Sequence, residues 1–293
     1  MNRTDHIFEL IGNTPLVRIN NMNPNPNAEI YAKLEGFNPM GSLKDRIALR
    51  MIENAEKKGQ LTKDKVILEA TSGNTGISVA WVAAIKGYKC EIVMPKSVSE
   101  ERKKIMAALG AHLLFVSTET EAIKVAREKA KNTKYFLTDQ FANNMNWKTH
   151  YETTGEEIWK QTEGKITHLV AGIGTSGTIM GTARRLKELN KEIRVIGVQP
   201  SQTHHNQQGL LNLSNFCPEI CKQTEVDEMI TVEDEVAFRT AREVLLKEGL
   251  FVGISSGSTM WAAILKAKEI EKGFIVTILG DNGFRYLSTN LFG

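Results

Sequence analysis

The 293-residue chain reads as an α/β protein of mostly parallel, twisted sheets covered by helices. Three observations predict this class. Short, near-continuous apolar runs alternate with amphipathic stretches of helical period through most of the chain. The apolar runs are the kind that a sheet covered on both faces requires. Segments rich in glycine and hydroxyl residues fall where a strand hands over to a helix, which is where such sheets bind ligands.

The elements follow in chain order. Residues 20–27 (NNMNPNPN) form a loop on composition. A strand is predicted over 66–68 and a helix over 75–86, ended by Gly87. The next strand, 91–94, stops at Pro95. Ser97 and Glu100 have capping-box spacing ahead of a helix over 101–109, which Gly110 closes. A strand over 113–116 and a helix over 120–131 complete the first half. In the second half, strands over 166–171, 194–198 and 275–279 lie between or beside helices over 179–189, 233–248 and 259–270.

Bulk properties narrow the function. Hydrophobic residues make up 41% and charged residues 24%, enough for a core of one large or two medium domains. The net charge is only +3, with acids and bases mixed throughout, so nucleic acid is not an expected partner. The densest basic cluster, Arg102-Lys103-Lys104, follows Glu100-Glu101 and reads as a solvated helix face. The stretch 1–10 carries Arg3, Asp5 and His6 without a long apolar run, so no secretory signal is expected. The longest apolar run, 77–85, is too short to span a bilayer, so no membrane is expected. Three cysteines in so long a chain point to a reducing compartment, by default the cytoplasm.

Four segments can carry chemistry. Gly172-Ile173-Gly174-Thr175-Ser176-Gly177-Thr178 follows a strand and opens a helix. Its backbone N–H groups, helix end and three hydroxyls suit a phosphate, and a glycine-rich packing turn is the competing reading. A dinucleotide site would need an acidic residue at the end of the next strand, where Gln199-Pro200 stand instead. Gly253-Ile254-Ser255-Ser256-Gly257 matches a nucleophile elbow, but no histidine follows it, so a hydrolase fails on order. Gly41-Ser42-Leu43-Lys44-Asp45-Arg46 puts Lys44 at a first helical turn, where the dipole favours the neutral amine that imine formation needs. Taken alone, a surface lysine is the commoner case. Thr71-Ser72-Gly73-Asn74-Thr75-Gly76, at another strand-to-helix junction, could cradle a carboxylate or could simply be an N-capped turn.

Together, in this order and spacing, these segments resemble the cysteine synthase family of fold-type II pyridoxal-phosphate (PLP) enzymes, whose fold is tryptophan synthase β-like. The likeness runs from Ile11-Gly12-Asn13-Thr14-Pro15-Leu16 to Arg285-Tyr286-Leu287-Ser288-Thr289. It includes Lys33-Leu34-Glu35-Gly36 and Asp139-Gln140-Phe141, and the stretch 151–159 (YETTGEEIW) looks most like the B type. The resemblance implies two domains: a smaller mobile one over 41–145, and a larger one of 1–40 plus 146–293 that binds PLP. It implies Lys44 as the Schiff-base lysine and general base, and Asn74 at the cofactor's ring hydroxyl oxygen. Gly174, Thr175, Ser176, Gly177 and Thr178 would take the phosphate, and Ser255 would meet the pyridine nitrogen. Thr71, Ser72, Thr75 and Gln140 would grip the amino acid's carboxylate.

The implied reaction is β-replacement on O-acetyl-L-serine by sulfide through an aminoacrylate, giving L-cysteine, in a homodimer. Cystathionine-forming or cysteine-desulfhydrating chemistry, use of O-phosphoserine, and a non-catalytic binding role stand as alternatives. Residues 200–224 are the least family-like; B-type relatives that use anionic sulfur donors or phosphoserine tend to carry arginine there, and this stretch has none, so the resemblance favours O-acetylserine with sulfide over those substrates. His204, His205, Cys217 and Cys221 fall in the same stretch, but their spacing is poor for zinc, so no metal is expected.

Overall fold

A computed structural model describes residues 3–293 of the protein. Met1 and Asn2, the start of the stretch read above for a targeting signal, lie outside them. β1 (Leu16–Ile19) and β2 (Ala28–Leu34) form an antiparallel hairpin around the asparagine-rich loop. The loop is held by its amides: Asn23 Nδ2 donates to Ala28 O at 2.7 Å, and Asn25 Nδ2 donates to Ala267 O at 2.9 Å. After α1 (Lys44–Lys57) come β3 (Val66–Ala70), α2 (Asn74–Lys86), β4 (Lys89–Pro95), α3 (Glu100–Ala108), β5 (His112–Val116), α4 (Glu119–Lys129) and β6 (Tyr135–Leu137). The chain continues through α5 (Met145–Glu152), α6 (Thr154–Gln161), β7 (His168–Gly172), α7 (Gly177–Leu189), β8 (Arg194–Pro200) and β9 (Glu228–Val232). It closes with α8 (Asp234–Glu248), α9 (Ile254–Glu269) and β10 (Gly273–Leu279).

These strands make two sheets. One has the order β5-β4-β3-β6 and is wholly parallel; the other has the order β1-β2-β10-β7-β8-β9, with only β1 antiparallel. The mostly parallel α/β class expected from the sequence is therefore the class observed. β3 is buried at every position, as a strand covered on both faces must be. One face of the small sheet packs Ile67, Cys90 and Ile92 with Ile52, Ile77 and Met106, and the other packs Leu68 and Val93 with Ala122 and Ala126. In the large sheet, Ile196 and Ile275 meet α8 and α9, while Val195 and Val276 meet α6 and α7. α8 and α9 approach so closely that a Cβ at Gly257 would stand 2.1 Å from Ala237 O.

Helix boundaries follow local chemistry, with one correction. α2 ends at Gly87, whose φ of +72° is the left-handed C-cap conformation. The Ser97 capping box does not form. Ser99 immediately precedes α3, and its hydroxyl donates to Arg285 O at 2.9 Å instead of serving as a side-chain cap. The same spacing is realised one helix later, where Glu121 N donates to Thr118 Oγ1 at 3.1 Å and Ser117 N donates to Glu121 Oε2 at 2.8 Å. Among the described residues no helix is long and apolar enough to cross a membrane. The C-terminal ends of β3, β7 and β10 open onto a common cleft, and the long connection from β8 to β9 runs along it.

Candidate active site

Lys44 is the first residue of α1, and the turn before it is stitched to the end of β10. Leu43 N donates to Gly280 O at 2.9 Å, and Asn282 N donates to Gly41 O at 3.3 Å. Gly41 has φ of +77°, and a Cβ there would stand 2.4 Å from Asn282 Nδ2. Burial pulls the Lys44 amine down to about 8, and the carboxylate of Asp281 opposes the shift. Burial thus makes the neutral amine more accessible than for an ordinary lysine.

Behind Lys44, several motifs on which the resemblance rests meet in one buried ion cluster. Arg46 Nε donates to Glu35 Oε2 at 2.7 Å and Nη1 donates to Glu157 Oε1 at 2.6 Å. Thr14 Oγ1 donates to Glu35 Oε1 at 2.7 Å, and Lys33 Nζ pairs with Glu157 Oε2 at 2.7 Å. Burial alone would raise the Glu35 pKa. The charge and hydrogen bonds of Arg46, with Lys33 and Thr14, outweigh it and hold the carboxyl at about 2. This cluster fixes the start of α1 and does not line the cleft.

The loop after β7 is shaped by close approach. A Cβ at Gly174 would lie 2.3 Å from Gly209 O, and one at Gly177 would lie 1.8 Å from Asn146 Oδ1. Ser176 adopts φ of +68° immediately before α7. Asn146 Nδ2 donates to Thr175 Oγ1 at 2.9 Å, and Gly177 N donates to the same oxygen at 3.4 Å. Thr178 Oγ1 lies 3.2 Å from Nε2 of His150, which burial, together with the charges of Lys44 and Arg46, holds neutral with a pKa of about 3. Gly174, Thr175, Ser176 and Thr178 line the same lobe of the cleft as Lys44 and Ser255; Gly177 stands behind it, opening the helix. Ser176 Oγ is buried with no hydrogen-bond partner in the protein. A buried hydroxyl needs a partner, and this donor set at a helix start fits the phosphate of PLP.

The adjoining lobe is lined by Thr71, Ser72, Asn74, Thr75 and Gln140, again with Lys44 and Ser255. Thr75 Oγ1 donates to Gln140 Oε1 at 2.5 Å, and Gln140 Nε2 donates to Ala70 O at 3.1 Å. Ser72 Oγ donates to Glu119 Oε1 at 3.2 Å. Eleven of the twelve residues singled out from the sequence therefore border this cleft. Ser255 enters it from the first turn of α9.

Other groups here were not singled out from the sequence. Asn74 Nδ2 donates to Asp281 Oδ2 at 2.7 Å, Arg285 Nη1 donates to Asn74 Oδ1, and Tyr286 OH donates to Asp281 Oδ2 at 2.7 Å. Arg102 is not solvated as its basic cluster suggested. It is buried, with Nη1 donating to Ser72 O at 3.2 Å and Nη2 donating to Tyr286 OH at 2.8 Å, while Lys104 stays exposed. The position of Arg102 four residues before the buried Met106 is the local signal that could have placed it inward. The 200–224 stretch borders the cleft through Gly209 and Leu210. Among the described residues no group of three or more His, Cys, Asp or Glu is placed to hold a metal ion.

Comparison with known proteins bears on this site. A family model described as pyridoxal-phosphate dependent enzyme matches residues 7–281. The chain is 50% identical to a cysteine synthase of Aquifex aeolicus, over 98% of this chain and 91% of the relative. It is 42% identical to a hydrogen sulfide-producing enzyme from Fusobacterium nucleatum of known structure, with a TM-score of 0.94, covering 97% of this chain and all of that one. An O-acetylserine sulfhydrylase isoform from Entamoeba histolytica shares 37% identity and a TM-score of 0.93, covering 99% and 92% of the two chains.

Proposed function

The chain belongs to the pyridoxal-phosphate dependent enzymes and, within them, to the cysteine synthases, and from that premise we propose that it makes L-cysteine by replacing the acetoxy group of O-acetyl-L-serine with sulfide. The observation that carries this reading is the cleft itself: one half-buried lysine at a helix start, with a phosphate-suited loop on one side and a carboxylate-suited loop on the other.

When bound, PLP supplies a covalent hold on the amino acid and an electron sink for the pair left at Cα. Lys44 Nζ would be the attachment point and, when free, the base placed to take the Cα proton. Gly174, Thr175, Ser176, Gly177 and Thr178 hold the phosphate, with Ser176 Oγ as a donor that has no other partner. Asn74 orients the ring oxygen. Ser255 would meet the pyridine nitrogen, where a hydroxyl, unlike a carboxylate, would not hold a proton, and so would favour loss of a β-substituent over transamination. Thr71, Ser72, Thr75 and Gln140 grip the substrate carboxylate. Closure of residues 41–145 on that carboxylate would exclude water; protease sensitivity of the 71–76 loop that is unchanged by an amino-acid ligand would argue against it. A homodimer in a reducing, cytoplasmic setting completes the reading, supported by three free cysteines.

Release of sulfide from cysteine is a second use of the same parts, favoured by the likeness to the F. nucleatum enzyme. The test is spectroscopic and chemical. The visible band of the holoenzyme should shift on adding O-acetyl-L-serine and return with formation of cysteine when sulfide follows. A band unmoved by O-acetyl-L-serine would refute the reading, and product analysis with cysteine as sole substrate decides the second use.

A further inference from the structure

Beside the carboxylate-suited lobe lies a buried acid that the reading above leaves unused. Glu69 is the fourth residue of β3, and its side chain is fully buried. It does not line the cleft, but its two oxygens fasten the two segments that do. Oε1 accepts from Ala70 N at 2.9 Å, one residue ahead of the 71–76 loop. Oε2 accepts from Gln140 N at 3.3 Å. Gln140 Nε2 in turn donates to Ala70 O at 3.1 Å, so residues 69, 70 and 140 form one knot.

The hydrogen bonds fix where the proton of this acid sits. Thr138 Oγ1 is bonded both to Leu68 O, at 3.2 Å, and to Glu69 Oε2. A hydroxyl has one proton to donate and a carbonyl has none. Both contacts are satisfied when Glu69 Oε2 donates to Thr138 Oγ1, which donates to Leu68 O. The surroundings offer an ionised form no counter-charge. Cys90, on the same face of β4, has its thiol pushed up to about 12 by burial and is neutral. α2, which covers this face of the sheet, has no titratable side chain before Lys86. Asp139 adds negative charge, and Arg127 of α4 is divided between Asp139 and Glu219. Burial pushes the Glu69 carboxyl up to about 8, helped by the charge of Asp139 and opposed by hydrogen bonding with Thr138, Ala70 N and Gln140 N.

We propose that Glu69 is a positioning residue for the substrate carboxylate: as the neutral acid it holds Gln140 and the head of the 71–76 loop together, and as the anion it repels what they bind. The proposal deepens the reading that this lobe grips an amino acid's carboxylate, and rests on it. Loss of the proton puts a second negative charge behind that carboxylate in a poorly screened site. It also turns the Thr138 hydroxyl from Leu68 O to Glu69. Carboxylate affinity is therefore full below pH about 8 and falls as pH rises through it.

The test compares L-alanine, which has no β-leaving group to lose, with L-alaninamide, which lacks the carboxylate. Dissociation constants for both are read from the visible band of the holoenzyme on either side of that pH. In the unmodified protein the preference for alanine should fall by about tenfold as pH rises, over and above any change in Glu69→Gln. The ligand amines titrate alike against both proteins, so the difference between the proteins is the readout. Glu69→Leu should lower the preference by about tenfold at neutral pH, and Glu69→Gln, which keeps the neutral shape, should restore it. An equal fall in the unmodified protein and Glu69→Gln overturns the proposal, as does a Glu69→Leu protein that weakens both ligands alike. Equal binding of alanine and alaninamide by the unmodified protein at neutral pH sinks the carboxylate reading itself, and the proposal with it. Where the variants fail to fold, infrared difference spectra of the unmodified protein decide. One carboxylic acid C=O band must vanish as pH rises through about 8, where ordinary carboxyls are already ionised, and its absence overturns the proposal.

Discussion

The two loops that face each other across the cleft solve the same problem in different ways. Both join a parallel strand to a helix, and both present hydroxyls and backbone N–H groups. The 172–178 loop is shaped by contacts that a methyl group would destroy: Gly174 against Gly209 O and Gly177 against Asn146. Its Ser176 hydroxyl is left unpaired. The 71–76 loop instead has its side chains engaged: Thr75 with Gln140, Ser72 with Glu119, Asn74 with Asp281. A rigid cradle suits a resident phosphate that arrives once. Exchangeable hydrogen bonds suit a substrate carboxylate that arrives and leaves at every turnover, because each internal partner can be traded for a ligand oxygen at small net cost.

Five substitutions or conditions sharpen or break this contrast. Lys44→Ala removes the group between the loops, and turnover should fall by on the order of 10³-fold or more, read from steady-state kinetics with loss of the visible band. Next comes the scaffold behind Lys44. Glu35 has its carboxyl held at about 2 against an ordinary value of 4.5, so its contribution is present above pH 4.5 and lost as pH falls towards 2. Acid unfolding should show a loss on the order of 3 kcal/mol across that window, and Glu35→Gln should flatten it. Gly174→Ala should cost about 1–3 kcal/mol in thermal or denaturant unfolding, through the clash with Gly209 O, and weaken cofactor retention. Thr75→Ala should keep the visible band and raise KM for O-acetyl-L-serine by about tenfold. If Gly174→Ala altered KM alone and Thr75→Ala lost cofactor, the contrast would be wrong. The smallest effect concerns Asp281, whose negative charge raises the Lys44 pKa. In Asp281→Asn that pKa falls further, the neutral amine becomes available at lower pH, and the pH for half-maximal cofactor attachment should move to the acid side.

What could be read in the sequence was local. The 41–46, 71–76 and 172–178 segments announce themselves because glycine, hydroxyls and a strand-to-helix switch occur within a few residues. α2 and its Gly87 stop are legible for the same reason. β1 escaped because it is an antiparallel edge strand whose middle residues Val17 and Arg18 face solvent, leaving no apolar run; β2 escaped because Glu29, Tyr31 and Lys33 interrupt its apolar residues. β6 is three half-buried residues and too short to declare itself. Arg102 looked solvated because its neighbours are. The distant Tyr286 and Gln208 hold it inward, and only its spacing from the buried Met106 hints at this locally. Asp281, Asn146 and His150 are set beside the cleft by contacts of long sequence separation, which no window of neighbouring residues contains. Ser97 was a matter of two competing serines: the tertiary acceptor on Arg285 claimed the Ser99 hydroxyl.

The central claim is that Lys44 carries the cofactor. Borohydride reduction of the PLP-loaded protein, followed by peptide mapping, tests it directly. The account requires a single pyridoxyl-labelled peptide, with the label on Lys44. A label on another lysine, or none, would contradict it.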